Sequence, residues 1–117
     1  MTGARPPLDG LRQELRRGTL VLAVLSALRH ERCGADLIDI LAGAGVPMEP
    51  GALYPMLRRL EEQGLLLSEW RLEDGRRRRF YRASDAGAET AHALTADLTR
   101  LIFGLQTLRE DTDDTAG

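Results

Sequence analysis

The chain has 117 residues, 29% charged and 43% hydrophobic, which bounds it to one globular domain with a modest core. Its longest apolar run, Leu20 to Leu28 with Ser26 inside, is too short to cross a bilayer, no basic-then-apolar start marks a signal peptide, and a single cysteine excludes an internal disulfide and makes a cytoplasmic location the default. The net charge of −2 argues against a nucleic-acid partner only as a total: four acids fall within residues 110–117, so the rest of the chain carries +2, and residues 71–82 hold six arginines against two acids.

Residues 1–7 are small, polar or proline and are expected to be flexible. Leu8, Leu11, Leu15, Leu22, Leu25 and Leu28 recur at helical spacing, which predicts a first helix from Leu8 or Asp9 to about His30, weakened at Gly18. The stretch Arg32-Cys33-Gly34 breaks the chain. A short second helix is predicted over 35–44, with Leu37, Ile38 and Leu41 inward. The Gly- and Pro-rich stretch 43–51 makes a turn.

A third helix runs to about Gln63, stopped by Gly64. Leu53, Leu57 and Leu60 face inward; Tyr54, Arg58, Glu61 and Glu62 face outward, with Arg59 near the edge. Pro55 lies inside this pattern. If the helix begins at Pro50, Pro55 falls in the second turn and frees the carbonyl of Gly51; if it begins near Tyr54, Pro55 is the first position and costs nothing. Two strand-like runs around Asp74-Gly75 read as a hairpin. A tight turn there sets Trp70 opposite Arg79 with Tyr81 diagonal, and a place in the hairpin's packed face is favoured for Trp70 over ligand stacking. Ser84 can cap a last helix from Asp85 to about Arg109, leaving an acidic tail, 110–117, expected to be disordered.

The fold class is therefore mainly α with a β-hairpin wing: a winged helix-turn-helix over 1–83, then a long C-terminal dimerisation helix over 84–109. In a winged helix the third helix enters the DNA major groove and the hairpin touches the backbone or minor groove. The candidate DNA-binding residues are Tyr54, Pro55, Arg58 and Arg59 on that helix and Arg76, Arg77, Arg78 and Arg79 on the wing. Arginine donates two parallel hydrogen bonds to guanine or phosphate, and four successive cations gain most beside a polyanion. The bland readings are a solvated turn for 76–79 and weak surface pairing of Arg58 and Arg59 with Glu62 along the helix.

Four stretches, "LRRGTL" (15–20), "GALYPMLRRLEEQGLL" (51–66), "SEW" (68–70) and "RRRRFYRASDAG" (76–87), carry a resemblance over about residues 15–108. The chain resembles the PadR family of winged-helix transcriptional regulators, in particular its small members with a single C-terminal helix. The resemblance implies a homodimeric repressor on a palindromic operator in double-stranded DNA, released by a small hydrophobic or aromatic effector, with contacts from Tyr54, Pro55, Arg58 and the wing arginines. It implies no cofactor. Three positions depart from the family pattern. Gly34-Ala35-Asp36 lacks the aromatic common at the start of the second helix. Glu49 replaces a serine cap, and Gly51-Ala52 replaces Gly-Thr. Glutamate caps less well than serine, and Ala52 offers no hydroxyl, so a changed operator contact is expected.

In the last helix, Ala91, Leu94, Leu98, Leu101, Leu105 and Leu108 alternate spacings of three and four, a seam of about two and a half heptads. Leu94, Leu98, Leu101, Leu105 and Leu108 are the candidate dimer interface, with Ile102 and Phe103 beside them. A lone helix of this length is marginal in water, so the leucines need a partner surface. His30 and Cys33 are too few for a zinc site. No phosphate loop, nucleotide fingerprint, metalloprotease helix or nucleophile elbow is present, which excludes the common enzyme motifs. The competing readings are a winged-helix module that binds another protein without DNA, and a ligand carrier using a cavity between two copies.

Overall fold

Leucine spacing decides where the core forms. The computed structural model describes the backbone of residues 5–116 and the side chains of residues 7–111. Its elements are α1 (Arg5–Ala27), β1 (Arg32–Cys33), α2 (Gly34–Gly43), α3 (Pro50–Glu62), β2 (Leu66–Glu73), β3 (Arg76–Ala83) and α4 (Asp85–Ala116). Val24, Leu25 and Leu28 from the end of α1, Leu37 and Leu41 from α2, and Leu53, Leu57 and Leu60 from α3 meet in one cluster with Leu66, Tyr81 and Ala91. Each fully buried leucine contributes roughly 1.5–3 kcal/mol. The three inward leucines of α3 are spaced four and three, so the opposite face, with Tyr54, Arg58 and Arg59, is left to solvent.

The punctuation between elements follows the chain's glycines. Gly45 (φ 84°) and Gly64 (φ 79°) take the left-handed conformation just past α2 and α3. Behind them the Val46 and Leu65 amides donate back to the carbonyls of Leu41 and Leu60, both at 2.9 Å, closing each helix. Asp74 (φ 53°) and Gly75 (φ 77°) form the two-residue turn that the right-handed twist of a hairpin requires. Ser84 caps α4: its hydroxyl accepts the Gly87 amide at 3.0 Å and donates to the Gly64 carbonyl at 2.6 Å.

Several boundaries differ from expectation. Residues 1–4 of the segment expected to be flexible lie outside the described residues, but 5–7 form the first turn of α1, where proline's missing N–H costs nothing. That helix ends at Ala27 rather than near His30; the Arg32 Nε donates to the free Ala27 carbonyl at 2.9 Å. Arg32-Cys33, expected as a mere break, is a two-residue strand paired with Tyr81 and Phe80, so the wing is a three-stranded antiparallel sheet in the order β1-β3-β2. The fourth helix continues to Ala116 instead of stopping at Arg109. Residues 110–116, expected as a disordered acidic tail, contain no glycine or proline and carry the helix on.

α4 packs on α1, and Leu94 and Leu98 are already half-buried within the chain. Beyond that contact the helices project, giving a molecule 66 × 39 × 23 Å in extent. Leu101, Ile102, Phe103, Leu105 and Leu108 are exposed on α4, as are Leu8, Leu11 and Leu15 on the first half of α1. Among the described residues, no helix is long and apolar enough to cross a membrane.

Candidate nucleic-acid interface

α3 begins at Pro50, so Pro55 lies inside the helix, in its second turn. Its ring nitrogen cannot donate to the Gly51 carbonyl, which leaves that acceptor free at the leading end. Glu49 stands at the cap position but makes no side-chain capping bond, as expected of a glutamate replacing serine. Tyr54 points from the start of the second turn toward Gly34 of α2. A Cβ on Gly34 would fall 2.5 Å from the Tyr54 hydroxyl oxygen and 2.8 Å from the ring, so only glycine lets the tyrosine lie this close. A cleft of about 460 Å³ opens between this corner and the wing, bounded by Tyr54, Trp70 and Arg76 to Arg79.

The register of the hairpin divides the arginine run. Trp70 faces Arg79 and Leu72 faces Arg77 across β2 and β3, while Arg71 faces Arg78 and Glu73 faces Arg76. Successive side chains alternate faces, so Arg77 and Arg79 share one face with Trp70 and Tyr81, and Arg76 and Arg78 point to the other. Trp70 is 53% exposed rather than packed away. The Arg77 guanidinium lies 4.9 Å from its ring centroid and that of Arg79 5.5 Å. Charged groups on both sides keep this indole near solvent, which is why packing in the hairpin's inner face does not occur.

The four wing arginines differ in what they already hold. Arg79 Nη2 donates to Glu61 Oε1 at 3.1 Å, its Nε donates to Ser68 Oγ at 3.0 Å, and Ser68 in turn donates to Glu61 Oε2 at 2.7 Å. Arg78 Nε is 3.8 Å from Glu73, and its Nη1 approaches the buried Cys33 Sγ at 3.7 Å. Among the described residues Arg76, Arg77, Arg58 and Arg59 have no carboxylate partner, so the surface pairing of Arg58 and Arg59 with Glu62 does not form. Sequence reading grouped the eight candidates together; the structure brings Tyr54 and Arg76 to Arg79 around one open corner, sets Arg58 in a small adjoining cleft with Tyr54 and Arg79, and ties Arg79 into an internal network.

On the opposite face of the wing Arg71 donates twice to Glu31, 2.6 Å for each bond, and once to Glu69 at 3.1 Å, while lying 4.8 Å above the Phe80 ring. The bonds to Glu69 and then Glu31 raise the guanidinium's already high pKa, and the same contact holds the Glu69 carboxyl below the usual carboxylate range. Burial pushes the Tyr81 phenol above its ordinary value. Glu31, Glu61, Ser68 and Gly34 were not singled out from the sequence. The arginines that meet Glu61 and Glu31 lie 18 and 40 residues away, beyond any local pattern; only Gly34, at the start of a helix, carried a signal, and it read as a break.

Residues 21–93 match the transcriptional regulator PadR-like family. Transcriptional regulator Rv3488 of Mycobacterium tuberculosis is 46% identical over 101 residues, which cover 80% of this chain and 92% of that protein. Transcriptional activator GvpE2 of Halobacterium salinarum is 36% identical over 94 residues, 78% of this chain but 47% of that protein. Among solved structures, a PadR family transcriptional regulator from Eggerthella lenta superposes with a TM-score of 0.87 at 40% identity, covering 92% of this chain and 96% of that one. Bacillus subtilis PadR in complex with operator DNA shares the fold, with a TM-score of 0.61 at 22% identity over 66% of this chain and 45% of that one.

Proposed function

Because the chain belongs to the transcriptional regulator PadR-like family, a family of regulators and not of enzymes, we propose that it is a cytoplasmic homodimer that reads a palindromic operator. The observation that carries this reading is the open corner between Tyr54 of α3 and the wing, with Arg58 in the cleft beside it, where among the described residues Arg76 and Arg77 have no carboxylate partner. Arg58 and Arg59 reach bases or phosphates from the major groove, Tyr54 and Pro55 form the leading tip, and the arginines at the wing tip, Arg76 to Arg78, neutralise flanking phosphates.

The exposed leucines support the dimer. Leu101, Leu105 and Leu108 are 64%, 59% and 63% exposed; a second copy would bury them together with Leu94 and Leu98 and the leucines of α1. A two-fold pair places the two α3 helices about one DNA turn, roughly 34 Å, apart. Residues 1–83 thus read DNA and α4 joins the copies. Overlap of the operator with a promoter represses; two relatives are named activators, so the sign of regulation follows from where the operator lies. A small hydrophobic or aromatic effector acts, on this reading, only by preferring one dimer geometry over another. Selection from a pool of random duplexes tests the proposal. A consensus palindrome should be enriched, and a pool that stays random overturns DNA reading.

A further inference from the structure

We propose that Glu61, Ser68 and Arg79 form a clamp that sets the angle of the wing against α3, so that Arg79 is a positioning residue and not a phosphate contact. The proposal rests on the DNA-binding reading above and assigns within it a role that the arginine run alone does not reveal.

Glu61 lies three residues after Arg58 and seven after Tyr54, so all three share one face of the helix. A small cleft of about 80 Å³ lies between them and Arg79 and Tyr81. An acid in line with the residues that approach DNA would repel phosphate if left alone. Arg79 meets it with one guanidinium nitrogen, and Ser68 meets its other oxygen. The ring closes when the Arg79 Nε donates to Ser68 Oγ. One carboxylate of α3 thereby holds a residue on each strand of the hairpin, at diagonal positions, because Ser68 faces Tyr81 and Arg79 faces Trp70. Arg77, two residues away on the same strand face, has no such partner and rests on the Trp70 ring. Neighbouring arginines of one run thus have different tasks: Arg77 is free to meet phosphate, while Arg79 is oriented by the bonds of its Nε to Ser68 and its Nη2 to Glu61. On the other face the Arg71–Glu31 pair holds the wing to the connection between α1 and β1, so loss of the Glu61 clamp loosens the hairpin without detaching it.

The test uses the full chain as wild type, Glu61→Gln, Arg79→Met, the double variant, Arg77→Met, and Ser68→Ala as a milder lesion in case the others misfold. In the free protein, amide exchange of the wing should speed by about threefold to fivefold in Glu61→Gln, Arg79→Met and Ser68→Ala, the range a partly exposed ion pair supplies, while α2 amides hold. Unchanged wing exchange overturns the clamp. With a duplex enriched by the wild type, Glu61→Gln and Arg79→Met should each bind about threefold to fivefold more weakly at an unchanged salt slope, and the double variant no more weakly than either. Arg77→Met should lower the slope by about one. Tighter binding by Glu61→Gln, the result expected of a merely repulsive acid, or a slope lowered by about one in Arg79→Met, overturns the assignment. If the wild type binds no duplex, the regulator reading fails and the exchange measurement alone decides the clamp.

Discussion

Replacing Gly87 with alanine tests how α4 is seated on the winged domain. A Cβ there would fall 2.0 Å from the Leu65 carbonyl oxygen and 3.0 Å from its carbon. That carbonyl accepts the Ser84 amide at 3.0 Å, and the adjoining Gly64 carbonyl accepts the Ser84 hydroxyl, so the backbone cannot retreat without losing bonds. Overpacking costs about 1–3 kcal/mol, and a lost hydrogen bond about 1 kcal/mol more. Against this, alanine gains at most about 1 kcal/mol of helix propensity. The net expectation is a loss of about 1–3 kcal/mol, or a fall in Tm of roughly 4–12 °C. Gly104, in the same helix, has nothing within 4 Å of its added Cβ, and its alanine variant should gain up to about 1 kcal/mol. Thermal and urea unfolding followed by circular dichroism at one fixed protein concentration compares the two. Equal or greater stability in Gly87→Ala would refute the steric reasoning. In the proposed dimer this contact also bears on function, because the tilt of α4 would set how far apart the two α3 helices lie.

Other variants probe the remaining assignments. Arg58→Ala should weaken operator binding by about 1–3 kcal/mol and relax preference at one base pair; an unaltered preference across a panel of mutated duplexes would count against base contact. Leu101→Asp removes a leucine from each copy of the proposed seam, about 1.5 kcal/mol per side chain, so the dimer dissociation constant should rise at least about a hundredfold. Light scattering that still reports dimers at the same concentration would dismiss the seam. Gly34→Ala displaces only the far end of the Tyr54 ring, so stability should change by less than about 1 kcal/mol while operator affinity falls; intact affinity would mean that the ring's position is irrelevant to DNA. Tyr81 has its folded pKa raised by burial, so its contribution to stability is complete below the ordinary phenol pKa and is lost as pH rises through the folded value. Ultraviolet difference titration should show one of the two tyrosines ionising late, and Tyr81→Phe should abolish that step.

Features fixed by local chemistry were legible in the sequence. The four-then-three spacing of Leu53, Leu57 and Leu60 fixed the buried face of the third helix, Asp74-Gly75 fixed the hairpin and its register, and Ser84 marked the start of the last helix. Features fixed by distant partners were not. Two residues, Arg32 and Cys33, have no periodicity of their own and become a strand only because β3 passes beside them. Arg79 is indistinguishable from Arg77 in a run of four; the difference is which strand face meets α3 and its Glu61. Trp70 was misplaced because its opposite neighbour was foreseen but its exposure, set by the cations stacked on it, was not. At Pro55 the sequence allowed two starts for the helix, and Pro50 takes the first position because its fixed φ already suits it.

The third strand has a consequence for the timing of recognition. An isolated two-stranded hairpin flickers in water, and ordering its backbone at the moment of contact would cost about 1–2 kcal/mol per residue. Here Arg32-Cys33 pairs with Tyr81 and Phe80 at the base of β3, so the entropy of anchoring the hairpin is surrendered once, during folding. Encounter with a polyanion then involves docking a finished surface. Its rate is set by diffusion and by the long-range pull of the arginines, and it should slow with added salt rather than with any step in which the wing must first take shape.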